Sequence, residues 1–498
     1  MTDLILAIDQ GTTGSTIALM DTDGRLLASV NHEFPQIFPQ PGWVEHDPES
    51  IWQSVLKGLA AIFSDTEYAV SQVAAIGITN QRETAVLWDS QTGEAVHNAI
   101  VWQCRRTTDV CEGLKAEGYE ALIKAKSGLV LDPYFSATKF KWLLDNAPTA
   151  KALLADGRLL AGTIDTYLMW RLSNGNVHKT DVSNASRTSL MSLETLDWDT
   201  ELLDIFGVPR DILPEICPSS GRFAVTSGVP GLPDGLPVSG VAGDQQSALF
   251  GQACFDPGDA KCTFGTGSFI LMNAGTSPIA SDTGLLSTVA WQLEGQDAVY
   301  ALEGGAFVCG AAVQWLRDQL GIIDQAADIE ALAESVESAG GVEFVPALAG
   351  LGAPYWAPEA RGTLTGLTRG SGKGEIARAT LDAMALQNVD ILTAMEADIG
   401  QPMAALKVDG GASANNLLMQ LQSDYLNRPI TRPEVIETTV AGACFLAGLG
   451  EGVWASADEI ARVWRSDRAF EVRLTDAERA DRMTSWQLAV GRTLHTPS

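Results

Sequence analysis

Three short turns hold the residue types that could do chemistry. The first, Asp9-Gln10-Gly11-Thr12-Thr13-Gly14-Ser15-Thr16, follows the apolar run Leu4-Ile5-Leu6-Ala7-Ile8. Backbone N–H groups in a turn of small residues can point at phosphate oxygens, and threonine hydroxyls add donors. Asp9, at the end of the run, has the hard oxygen that Mg²⁺ takes. The second turn, Gly265-Thr266-Gly267-Ser268, and the third, Asp409-Gly410-Gly411, also follow apolar runs. Each is equally readable as an ordinary turn or helix cap. Together they fit two hairpins that clamp a nucleotide's phosphates. No GxxxxGK[ST] run occurs, so this is not a Walker loop. Asp244 follows another apolar run. It reads either as an N-cap or as a general base that takes a proton from a hydroxyl attacking phosphorus. Arg82-Glu83 reads either as a surface ion pair or as a fork and carboxylate gripping adjacent hydroxyls of a polyol.

The elements that position these residues are legible from their patterns. Leu4–Ile8 and Ile17–Met20 read as the arms of a hairpin, closed further on by Asp21-Thr22-Asp23-Gly24. Asp47-Pro48-Glu49-Ser50 opens a helix. Val73–Thr79, Pro237–Ala242 and Ala405–Val408 read as buried strands, and Lys261–Met272 as a second strand–turn–strand echoing the first. Ser219–Leu236, rich in Gly, Pro and Ser, reads as a long surface loop. Ile376–Ile399 reads as an amphipathic helix with Leu381, Met384, Ala385, Ile391, Leu392 and Met395 on one side. Alternating strands and helices predict a layered α/β fold, with a domain boundary near residue 247.

Composition narrows the function class. The 498 residues are 46% apolar, and the formal net charge is −29. So acidic a surface argues against nucleic acid and anionic lipid as partners. No apolar run reaches the roughly 18 residues of a membrane span, and the N-terminus lacks a signal-peptide pattern. Seven scattered cysteines without a CxxC fit reduced thiols in a cytoplasmic enzyme, and five histidines without HExxH give little material for a metal centre.

At these residues the sequence resembles the FGGY carbohydrate kinase family. The matching runs are Asp9–Thr13, Pro41–Pro48, Gly77–Thr84 (GITNQRET), Ala99–Thr107 (AIVWQCRRT), Gly162–Thr166, Gly243–Gln246, Phe264–Gly267, Gly350–Trp356, Asp409–Asn416, and Gln420, Ser423 and Asp424. The runs GITNQRET, AIVWQCRRT and GDQQ are closer to members that phosphorylate glycerol than to pentulose kinases. The resemblance implies an α/β fold of two ribonuclease H-like domains, the actin-like ATPase arrangement, around a cleft. Residues 1–247 would form the N-terminal domain, with the polyol site and first phosphate turn. Residues 248–498 would form the C-terminal, nucleotide-binding domain. It implies ATP- and Mg²⁺-dependent phosphorylation of glycerol to sn-glycerol 3-phosphate, with Asp244 as base. Arg82, Glu83, Tyr134, Asp244 and Gln245 match substrate ligands, and Trp102 and Phe269 the aromatics facing the carbon chain. Thr12, Thr13, Gly14, Thr266, Gly310, Gln314, Gly411 and Asn415 match nucleotide contacts, and Asp9 with Asp244 the acids at the magnesium ion. A cytoplasmic homodimer or homotetramer is expected.

Two departures stand out. Thr12-Thr13-Gly14-Ser15-Thr16 replaces a Thr-Thr-Ser-Ser-Arg turn common in the family. The stretch Phe223–Pro237 contains no Lys or Arg, so inhibition by fructose 1,6-bisphosphate is expected to be weak or absent. Competing readings are a kinase for another small polyol or ketose, and a non-catalytic actin-like ATP-binding protein.

Overall fold

The structure, a computed structural model, describes residues 3–495. Its first sheet has six strands: β1 (Leu4–Gln10), β2 (Gly14–Met20), β3 (Leu26–Glu33), β4 (Val73–Asn80), β5 (Ser220–Val225) and β6 (Pro237–Gly243). Their order is β5-β6-β4-β1-β2-β3. The second has seven: β7 (Asp259–Phe264), β8 (Ser268–Gly275), β9 (Leu286–Trp291), β10 (Val299–Ala306), β11 (Ala405–Asp409), β12 (Ile430–Pro433) and β13 (Ser466–Phe470). Their order is β9-β10-β8-β7-β11-β12-β13. Each sheet is an antiparallel meander (β1-β2-β3, β7-β8-β10) followed by two strands parallel to its first (β4 and β6, β11 and β12) and an antiparallel edge strand. The echo between the hairpins is therefore a repeated sheet topology, with β9 added at one edge of the second copy.

Strand β1 shows why the pattern folds this way. From Leu4 to Ile8 it is apolar without a break, because both its faces are covered there. Leu4, Leu6 and Ile8 join a core with helix α1 (Pro48–Ser64), whereas Ile5 and Ala7 face a second core that contains the helix Thr438–Gly450. Helix α1 starts as its sequence predicts: the Asp47 carboxylate accepts from the backbone N–H groups of Glu49 and Ser50. Other helices near the strand ends are α2 (Asp244–Gly251), α3 (Gly310–Asp318), α4 (Lys373–Ile399), α5 (Asn416–Leu426) and α6 (Thr438–Gly450). Helix α6 lies close on both α2 and β4. A Cβ at Gly442 would fall 1.8 Å from the Ser247 carbonyl oxygen, and one at Gly77 2.1 Å from that of Ala443.

Two expectations are corrected. Ser219–Leu236 is not all loop, because Ser220–Val225 pairs with β6 as an edge strand and buries Phe223 and Ala224. The Gly and Ser content masked this pair of core residues. Helix α4 is not one-sided: Asp382, Gln387 and Asn388 are buried along with its apolar residues. Its central stretch, residues 379–389, is enclosed all round, and partners satisfy the polar groups, with Tyr425 donating to Asp382 at 2.7 Å and Asn388 to Gln422 at 3.1 Å. Among the described residues no helix is long and apolar enough to cross a membrane, and all seven cysteines are free thiols.

The parallel strands end together. Asp9 and Gln10 lie opposite Thr79 and Asn80, and Gly243 lies opposite Asn80. In the second sheet Thr263 lies opposite Asp409. The segments leaving such carboxyl ends are where open α/β sheets hold ligands.

Candidate active site

Arg82 and Glu83 leave the end of β4. They are 3% and 1% exposed, so this is no surface pair, and Arg82 Nε stands 3.7 Å from Glu83 Oε1. Glu83 has φ 59°, a conformation uncommon outside glycine, and Ser136 Oγ donates to its carbonyl at 3.0 Å. Each side chain has its main partner elsewhere. Arg82 makes a bidentate pair with Glu303, Nη1 to Oε2 at 2.5 Å and Nη2 to Oε1 at 2.9 Å. Arg187 Nε donates to Glu83 Oε1 at 2.8 Å. Arg82 Nε also lies 3.2 Å from Asp244 Oδ1, and Nη2 donates to the Tyr134 hydroxyl at 3.3 Å.

Tyr134 meets Trp102 edge-on, with ring centroids 5.7 Å apart. Trp102 Nε1 donates to Thr12 Oγ1 at 3.0 Å and so ties the aromatic wall to the first turn. Lys139 is fully buried and donates to the carbonyls of Tyr134 and Phe135, fixing that turn. Phe269 sits on β8 between Thr263 and Gly305. Leu271 faces Glu303 one step along the same ladder, so Phe269 and Glu303 share a face of the second sheet.

Asp244 is the first residue of α2, with Gly243 as cap, and its side chain keeps 31% of its surface exposed. Burial raises its carboxyl above the ordinary carboxylate range, against the pull of Arg82. Gln245 Oε1 accepts from Lys261 Nζ, which also donates to Thr263 Oγ1 at 2.9 Å. Thr439 Oγ1 donates to Asp9 Oδ2 at 2.8 Å, and its neighbour Thr438 donates to Asp409 at 2.8 Å. The first turn of α6 thus bridges the acids that end β1 and β11. Burial pushes the Asp9 carboxyl up to about 7; the charges of Asp244 and Glu437 add to this, and the Thr439 bond opposes it. Asp9 and Asp244 are half-buried carboxylates that repel one another and offer the hard oxygens Mg²⁺ takes, but among the described residues no group of three or more metal-ligating side chains comes together, so the protein alone does not complete a metal shell.

Five of the expected nucleotide contacts, Thr266, Gly310, Gln314, Gly411 and Asn415, line one cavity of about 400 Å³. Val313, Ala412 and Leu418 give it apolar walls. The second turn is joined to the start of α3 by backbone bonds from Cys309 and Ala311 to Thr266 and from Gly310 to Gly265. Asn415 also caps α5, accepting from Leu418 N at 2.8 Å. Thr12, Thr13 and Gly14 are not in this cavity; they form the β1–β2 turn, closed by Gly11 N to Gly14 O at 2.9 Å. Thr16, which stands where an arginine is common, accepts from Asn31 at 2.9 Å.

Sequence reasoning did not single out Glu303, Arg187, Lys261 or the Thr438-Thr439 pair. A signal existed for two of them. Glu303 and Lys261 are lone charges inside otherwise apolar strand segments, Tyr300–Ala306 and Ala260–Phe264. A charge there must have a partner.

Comparison with known proteins agrees with this geometry. Residues 4–251 match the FGGY family of carbohydrate kinases, N-terminal domain, and residues 260–451 match its C-terminal domain. A glycerol kinase of Bdellovibrio bacteriovorus is 58% identical over 492 residues, 99% of each chain. One from Geobacillus kaustophilus is 53% identical over 490 residues, covering 98% of this chain and 99% of that one. Among solved structures, Plasmodium falciparum glycerol kinase with ADP superposes with a TM-score of 0.93 at 37% identity, over 100% of this chain and 99% of that one. A xylulose kinase of Lactobacillus acidophilus, 24% identical with TM-score 0.87 over 98% of this chain and 97% of that one, shares the fold. With paired sheets, converging strand ends and full-length relatives in agreement, the chain belongs to the FGGY family of carbohydrate kinases, and its two sheet domains have the actin-like ATPase fold.

Proposed function

We propose that this chain transfers the γ-phosphoryl group of ATP to a terminal hydroxyl of glycerol, giving sn-glycerol 3-phosphate and ADP. The observation that carries the reading is the buried pair Arg82 and Glu83, with half-buried Asp244 and Tyr134 gathered round the Arg82 guanidinium, in a chain with full-length glycerol kinase relatives. Glu83 uses Oε1 for Arg187, which leaves Oε2 to accept from a substrate hydroxyl. Arg82 and Gln245 supply further polar contacts, and Trp102 and Phe269 cover the C–H side. A ligand lacking a hydroxyl would leave these buried groups unpaired, a strong basis for rejection.

Asp244 takes the proton of the attacking hydroxyl as the O–P bond forms. Positioning and charge neutralisation do most of the work in such a transfer. The cavity at Thr266, Gly310, Gln314, Gly411 and Asn415 holds the nucleotide, with Thr12, Thr13 and Gly14 donating to its phosphates from the other turn. Asp9 and Asp244 would hold Mg²⁺, which would offset charge on the phosphate oxygens. The resemblance further supports a cytoplasmic homodimer or homotetramer. Arg222, just before the loop without cations, is taken up by Glu451, in line with a weak response to fructose 1,6-bisphosphate.

The test is a coupled assay of ADP release with and without glycerol, with the product oxidised by a stereospecific glycerol-3-phosphate dehydrogenase. Glycerol-dependent ADP release with that product is expected. Nucleotide binding without turnover, or faster turnover of erythritol, xylulose or dihydroxyacetone, would overturn the assignment.

A further inference from the structure

We propose that Glu303, delivered by the second sheet, is a positioning residue that sets Arg82 and, through Arg187, Glu83 for the acceptor. The inference rests on the reading of Arg82 and Glu83 as polyol ligands. Arg82 has five N–H donors. Two go to Glu303, at 2.5 and 2.9 Å, in the two-pronged geometry that fixes the guanidinium plane. Its remaining contacts are longer: Gln246 at 3.2 Å, Tyr134 at 3.3 Å and Asp244 at 3.2 Å. The short pair orients the arginine, and the long contacts are the ones a substrate hydroxyl can replace.

The same carboxylate reaches Glu83. Glu303 Oε1 also accepts from Arg187 Nη2 at 3.0 Å, and Arg187 Nε holds Glu83 Oε1 at 2.8 Å. Arg187 Nη1 is buried without a hydrogen-bond partner. The guanidinium carbon lies 5.7 Å from the Tyr134 ring centroid and 5.3 Å from that of Phe135, so two aromatic rings also attract this buried cation. Arg187 is therefore constrained on three sides. Glu303 itself is held in β10, paired on both flanks, with Leu271 of β8 and Leu286 of β9 opposite it. Take its charge away and two neighbouring guanidinium groups repel one another. Arg82 then has Asp244 and Glu83 as its nearest anions, the two groups that must stay available to the acceptor.

The experiment uses the full chain carrying Glu303→Gln, which keeps the shape and removes the charge, with glycerol and ATP varied separately. We expect the KM for glycerol to rise ten-fold or more, with the KM for ATP within two-fold of wild type. Glu303→Asp, which retains the charge on a shorter arm, should lie between the two. A Glu303→Gln enzyme with its KM for glycerol within two-fold of wild type overturns the proposal, whatever its melting temperature. If that variant does not accumulate folded, Glu303→Asp decides: a KM for glycerol raised at least three-fold supports the role, and an unchanged one overturns it. A wild-type chain inactive on glycerol would instead refute the function proposed above, so the two failures are distinguishable.

Discussion

Asp244 combines raised proton affinity with partial exposure at the head of α2, which suits a base that must meet a mobile hydroxyl. Asp244→Asn keeps the shape and removes the basicity. It should retain glycerol binding by calorimetry while kcat falls by about 10³-fold, within the range for loss of a general base. Unchanged turnover would refute the role. Glu303 carries a pH signature. Burial alone would raise its carboxyl, but Arg187 and Arg82 prevail and hold it at about 2, below the ordinary 4.5. The folded chain binds this proton more weakly than the unfolded one. The stabilisation is therefore full above about pH 4.5 and is lost as pH falls towards 2. The melting-temperature gap between wild type and Glu303→Gln should be wider at pH 6 than at pH 3; an equal gap at both would show that the charge contributes nothing. Arg82, Glu83 and Asp244 stood out in the sequence because they follow apolar runs inside distinctive motifs, although a surface ion pair and a helix cap were equally open readings until the family resemblance was added. Glu303 was not, because its role exists only in a contact with Arg82 spanning 221 positions.

At the scale of elements, α6 is the piece on which the site's geometry depends. Its first turn holds Asp9 and Asp409, and Gly442 lets it lie directly on α2, whose first residues are Asp244 and Gln245. Gly442→Ala would drive a methyl into the Ser247 carbonyl. We expect destabilisation of about 1–3 kcal/mol, the usual cost of overpacking, and a lower kcat because α2 must shift. Thermal unfolding and the coupled assay measure both; wild-type values in each would refute this coupling. Continuous apolar runs between small-residue turns revealed the hairpins, since each β1 face enters a different core and no polar alternation marks the strand. The same logic failed for Ser220–Val225, where edge pairing, a non-local interaction, makes a strand of a Gly/Ser-rich stretch. It failed too for α4, whose buried Asp382 and Asn388 look solvent-facing until Tyr425 and Gln422 supply their partners.

For the whole molecule, the net charge of −29 is a source of self-repulsion that salt screens. Raising NaCl from 10 to 150 mM shortens the Debye length from about 30 to about 8 Å. The unfolding temperature should rise by a few degrees, and a fall would show that attractive surface pairs dominate instead. Charge, the strand patterns and the three turns are properties of the chain in one dimension. By themselves they determined the α/β class, the acidic surface and the motif residues, because local periodicity and turn chemistry act over a few positions. Only the tertiary structure decided that both sheets repeat one strand order, that the five scattered residues proposed to contact the nucleotide line one cavity, and that Glu303 reaches across to Arg82 and Arg187. The physical reason is that a buried charge or a shared cavity is defined by what faces it, and what faces it here comes from strands and helices far away in the sequence.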